Sequence, residues 1–126
     1  MNRALLLDTH VFLWWRTDDG RLLPEVRGAI SLADIVFVSA ASAWEARIKM
    51  ALGKLELPEP FSTGVTGSGF DELAISFSHV EVAAHLPTHH RDPFDRLLVA
   101  QAQHEHLVLV SHDRALEPYG VPMLWT

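Results

Sequence analysis

Three short runs, ALLL (4–7), IVFVS (35–39) and LVLVS (107–111), dominate what this chain is able to fold into. Each is apolar without alternation and reads as a strand buried on both faces. The segments between them carry helical spacing instead. THVFLWWR (9–16) runs into the turn TDDG, while LPEVRGAISLA (23–33) opens with proline at a first-turn position and sets apolar residues at 26, 29, 30 and 33. AASAWEARIKMALG (40–53) is a helix closed by glycine. Beyond it GKLELPEPFSTGVTGSGF (53–70) loses the pattern and reads as a loop holding one helical turn at most. A third strand is expected at 72–76, a helix at 78–86, and a helix FDRLLVAQAQHEH (94–106) with Pro93 in its first turn. A short helical turn over HDRALEPYG and a last strand within VPMLW (121–125) complete the chain. This alternation implies one domain over residues 1–126, an α/β/α sandwich around a central, mostly parallel sheet of four or five strands. In such sheets ligands gather at the carboxyl ends of the strands.

Composition narrows the setting. The chain has 126 residues, 48% of them apolar, enough for a core without staples. It has no cysteine, which removes disulfides and thiolate zinc sites and fits a reducing, cytoplasmic location. The longest apolar runs fall far short of the roughly 20 residues a membrane span needs. Asp8 and His10 interrupt the apolar start and no small-residue cleavage site follows, so neither membrane partner nor signal peptide is expected.

The acids fall in a pattern. Asp8 ends the first strand, and Glu45 lies in the first turns of the helix after the second. Asp92 and Asp95 open the helix after PTHHRDP, and Asp113 stands two residues beyond LVLVS. Taken singly, each suits a helix cap or a solvated surface. Together they are carboxylates from four segments brought to one rim, where mutual repulsion calls for a cation. An all-oxygen set suits a hard divalent ion such as Mg2+ or Mn2+. The net charge of −6 argues at first against a nucleic-acid partner. Setting those five acids aside leaves 11 of 16 against 10 Lys and Arg, so the remaining surface is close to neutral.

LLLDTHVFLWW, VSAASAWEARIKMALGKLELP, LPTHHRDPFDRLLVAQAQ and LVLVSHD, in that order and spacing, closely resemble the PIN-domain toxins of the VapC type, from about residue 3 to residue 125. The resemblance implies a PIN-like fold and a metal-dependent endoribonuclease, usually a homodimer, held inactive by a cognate antitoxin and acting on RNA. The family's acidic quartet carries over to Asp8, Glu45, Asp95 and Asp113. Asp95 is preferred to Asp92 because DRLLVAQA matches the family's run, which leaves Asp92 as an accessory acid. Thr9 and Ser111 take supporting positions. Asp8, Asp95 and Asp113 are the expected metal ligands, with Glu45 acting through water or orienting the nucleophile. Arg47, Lys49, Arg91 and Arg96 are the candidates for touching substrate phosphate, with Lys54 beside them.

Other features invite other readings. His85, His89, His90, His104 and His106 hint at zinc but lack a closed-site spacing, so surface or supporting roles are expected, with His10 the histidine nearest the site. Trp14 and Trp15 read as core or subunit interface and Trp44 as packing that fixes its helix. LLLDTH resembles the aspartyl-phosphate phosphatases, but His10 stands where their second Asp belongs. A catalytically silent partner-binding module is the remaining alternative, and keeping four mutually repelling acids argues against it.

Overall fold

In a computed structural model that describes residues 3–126, five strands form one sheet. They are β1 (Ala4–Leu7), β2 (Ile35–Ser39), β3 (Asp71–Leu73), β4 (Val108–Ser111) and β5 (Met123–Trp125). Their order across the sheet is β3-β2-β1-β4-β5, and every neighbouring pair is parallel. The sheet is therefore wholly parallel, at the upper end of the expected strand count. Six α-helices connect it: α1 (Thr9–Thr17), α2 (Pro24–Leu32), α3 (Ala40–Ala51), α4 (Phe61–Gly67), α5 (Phe77–His85) and α6 (Pro93–Glu105). A 3-10 turn, Arg114–Tyr119, precedes β5.

The apolar runs behave as their lack of alternation requires. Leu5 and Leu7 pack with Val11 and Phe12 of α1, Val26 and Ile30 of α2 and Val65 of α4. Leu6 faces the other way, onto Leu98, Val99 and Ala102 of α6. All three leucines are completely buried, and burial of each favours folding by roughly 1.5–3 kcal/mol. Helix α3 touches both α1 and α6, and so spans the top of the sheet between the two layers.

Two expectations need correction. The stretch 53–70 contains a real helix, α4. Its glycines and hydroxyls mark closeness rather than looseness. A Cβ on Gly64 would lie 2.9 Å from Glu59 Oε1, 3.3 Å from Arg16 Nε and 3.4 Å from the Phe12 ring, so a side chain there would have to displace the Arg16–Glu59 pair. Thr66 and Ser68 turn their hydroxyls back onto the carbonyls of Ser62 and Gly64. The third strand is shorter and earlier than 72–76, because Ser76 leaves the sheet to cap α5 through His79 N–H.

Order reversal fixes where a site belongs. From β1 the chain moves to β2 and β3 on one side, then returns to β4 and β5 on the other. The carboxyl ends of β1 and β4 thus flank the switch point, the crevice where open parallel sheets bind ligands.

Candidate active site

Asp8 immediately follows β1 and Asp113 stands two residues past β4, on either side of that switch point. Asp8 caps α1, accepting from Val11 N–H at 2.8 Å through Oδ1. Its other oxygen accepts the Ser111 hydroxyl at 2.5 Å. Ser111 Oγ in turn accepts Asp113 N–H at 3.1 Å, so one buried hydroxyl ties the two strand ends together. Asp113 caps the 3-10 turn through Ala115 N–H.

Glu45 arrives from the second turn of α3 and is buried. The Thr9 hydroxyl donates to its Oε1 at 2.6 Å and lies 2.9 Å from Ser42 Oγ. Its Oε2 pairs with Lys49 Nζ at 3.0 Å, one helical turn on. Asp95 and Asp92 come from the start of α6, where they divide the work. Asp92 Oδ1 accepts the N–H groups of Phe94 and Asp95 and so is spent as the helix cap. Asp95 instead faces the other acids, with Oδ2 at 3.2 Å from His90 Nε2; the same nitrogen is 3.1 Å from Asp113 Oδ2. Two linked groups result: Glu45 with Thr9, next in chain to Asp8, and then Asp8, Ser111, Asp113, His90 and Asp95 in unbroken sequence.

The electrostatics follow from this crowding. Burial, then the charges of Asp92, Asp8 and Glu45, push the Asp95 carboxyl up to about 7 despite His90. Burial also raises Asp8, against the opposing hydrogen bonds of Ser111 and Val11. Burial acts on Asp113 in the same direction, but Ala115 N–H and His90 outweigh it and hold this carboxyl below the ordinary range. His10, half-buried beside Lys49, is held below the usual imidazole range by its partial burial and by that ammonium.

A profile of the PIN domain matches residues 5–121. The chain belongs to the PIN-domain family. It is 34% identical to Ribonuclease VapC22 of Mycobacterium tuberculosis, an alignment covering 94% of each chain. The VapBC2 complex of Rickettsia felis, solved on a DNA fragment from its promoter, contains a chain of the same fold, with TM-score 0.70 and 13% identity over 96% of both chains. A toxin–antitoxin complex from Klebsiella pneumoniae matches with TM-score 0.66 and 19% identity over 95% of both chains.

In this PIN domain Asp95 and Asp113 meet at His90, and burial first and then the neighbouring carboxylates raise the Asp95 carboxyl. His90, Asp95 and Asp113 bring ligand atoms within 4.8 Å of one another, a group that could hold a metal ion, with Asp8 and Glu45 near enough to act on Asp95 electrostatically. The candidate phosphate contacts separate. Arg47 and Arg91 are exposed, Arg47 lining a groove of about 610 Å³ between α3 and α4. Lys49 is engaged with Glu45. Arg96 is turned inward: its guanidinium donates to the carbonyls of Ala83, Leu86, Pro87 and His90 at 2.8 to 3.4 Å, which removes it from the phosphate-binding candidates.

Two of the aromatic and histidine readings change. Trp44 is 63% exposed and lies outside the core it was expected to pack into. Trp14 is buried in the core, and the half-buried Trp15 packs against that core with its indole N–H on Ser68 Oγ, so both follow the core reading. His10 was expected nearest the acids, yet His90 bridges two of them and His112 Nδ1 lies 3.8 Å from Asp8. His90 stood among the apparent zinc histidines. Its signal was spacing, two residues before the cap Asp92 and five before Asp95, on the same approach to α6.

Proposed function

We propose that this chain is a metal-dependent endoribonuclease, the toxin of a toxin–antitoxin pair, hydrolysing RNA phosphodiester bonds at its acidic centre with Mg2+ or Mn2+. The observation that carries the reading is the convergence of Asp8, Glu45, Asp95 and Asp113 at the sheet's switch point, tied through Thr9, Ser111 and His90. Asp8, Asp95 and Asp113 would hold the ion, which would supply a water activated near neutral pH and offset charge developing on the phosphate.

The protein's own groups do the rest. Val11 N–H and the Ser111 hydroxyl fix both oxygens of Asp8. Thr9 and Lys49 hold Glu45 in one rotamer, which suits it to orient the attacking water rather than to ligate. Asp92 serves the centre from outside, by capping the helix that carries Asp95. Arg47, Lys54 and Arg91 are the exposed candidates left to meet flanking RNA phosphates. The partners consistent with this role are RNA, a cognate antitoxin and a second copy of the chain in a homodimer, in the cytoplasm. No helix among the described residues is long and apolar enough to cross a membrane.

The test is cleavage of a mixed RNA pool with Mg2+ or Mn2+ by the wild type, Asp8→Asn, Asp92→Asn and Asp95→Asn, each checked for folding. Cleavage lost with Asp8 and Asp95 and retained in part with Asp92 is the expected result. Metal-dependent cleavage that survives Asp8→Asn sinks the assignment, and no cleavage by any folded form turns the reading to a partner-binding module.

A further inference from the structure

His90 Nε2 and one oxygen each of Asp95 and Asp113 lie within 4.8 Å of one another, the spacing of an imidazole–carboxylate metal site. The opposite edge of the ring decides against that use. His90 Nδ1 accepts the Asp92 backbone N–H at 3.1 Å. A ring that accepts at Nδ1 carries its proton on Nε2. Nε2 then has no lone pair for an ion; it has an N–H, directed between Asp95 Oδ2 at 3.2 Å and Asp113 Oδ2 at 3.1 Å.

The approach to α6 is built to keep that ring in place. The His90 N–H donates to the Tyr119 hydroxyl at 2.9 Å, and that hydroxyl turns back to His90 O. Arg96 holds the carbonyls on either side of the bend. The Asp92 N–H that sets the tautomer belongs to the residue capping α6, so ring and helix start form one unit.

We infer that His90 is a positioning residue: its Nε2–H spans Asp95 and Asp113, holds one oxygen of each, and aims the pair at the ion without ligating it. The inference rests on the metal-centre reading above. A donor behind two ligands favours their ionised form and fixes their rotamers, and losing such a partner costs roughly 10–100-fold in metal affinity.

The experiment is Mn2+ binding to the metal-stripped full chain, followed by electron paramagnetic resonance, with pulsed detection of nitrogen coupling and thermal melts as the folding check. His90→Phe keeps a ring and deletes the donor. It should weaken Mn2+ about tenfold, with Mg2+, read by competition, weakened by the same factor. Tyr119→Phe, which removes the hydroxyl anchoring the His90 backbone, should weaken both by about twofold to threefold, and decides the matter if His90→Phe does not fold. Nitrogen coupling in the wild type that disappears with His90 would make it a ligand and overturn the inference. Unchanged or tighter binding in the folded His90 variant would overturn it too, showing the N–H to be a competitor of the ion. If the wild type binds no Mn2+, the metal-centre reading fails and takes this inference with it.

Discussion

Asp8 and Glu45 keep only 5% and 9% of their side-chain surface, whereas Asp95 and Asp113 keep 22% and 35%. The inner pair is held by hydroxyls and backbone on regular elements: Ser111 at the end of β4, and Thr9 and Val11 in α1. The outer pair is held together by an imidazole on an irregular segment. The inner half is placed by the fold itself, since the strand ends cannot move without disturbing the sheet. The outer half depends on how the chain enters α6, and it carries Asp95, whose carboxyl is raised to about 7. The fold thus separates a rigid seat from a strained, more accessible one.

The strongest way to break this comparison is to remove one acid from each half. Asp8→Asn and Asp95→Asn should each lower RNA cleavage by more than about a hundredfold, beyond the usual cost of losing a supporting partner. Asp92→Asn should cost only a few-fold, because asparagine caps a helix about as well as aspartate. Equal losses at 92 and 95 in single-turnover assays would erase the distinction between cap and ligand.

Acidity sharpens the contrast next. Without divalent ions, folded Asp95 keeps its proton up to about 7, whereas the unfolded chain releases it near 3.8. The folded state binds more protons across that interval, so stability falls as pH rises from about 4 to about 7. Melts in a chelator should lose several degrees over this range. Asp95→Asn should flatten that slope and raise the melting temperature at pH 8 even as it removes activity. A slope that persists unchanged in the variant assigns the titration elsewhere.

Smaller effects separate frame from centre. Arg96→Lys keeps the charge but cannot fork across several carbonyls, and should cost about 2 kcal/mol in denaturant unfolding. Ser111→Ala leaves Asp8 short of a donor at a buried position and should cost about 1–2 kcal/mol. The smallest change is expected for Arg47→Ala: unaltered stability and RNA binding weakened a few-fold at low salt, the difference vanishing as salt rises.

How much of this was legible in the sequence follows the reach of each interaction. The strands β1, β2 and β4 and the helices that follow them announce themselves through contiguous patterns, and Asp8, Glu45 and Asp113 could be placed by counting from those elements. The helix α4 could not, because Gly64 packs beside Arg16 and the Phe12 ring of α1, which no local window contains. Trp44 was misjudged because helical spacing does not say which face meets the sheet. His90 and Arg96 were harder still. The histidine's partner Asp113 lies 23 residues away, and the arginine's carbonyls span 83 to 90. A charged side chain beside a catalytic motif looks the same in sequence whether it meets substrate or ties its own backbone.

Arg96 leaves one last consequence. A guanidinium keeps its proton at any pH where a protein stays folded, so the brace over Ala83–His90 does not titrate. The acids it frames do. Bringing the protein to mild acid should therefore silence the centre while leaving its outline intact, and activity should return on neutralisation as fast as protons and ions exchange, with no refolding lag.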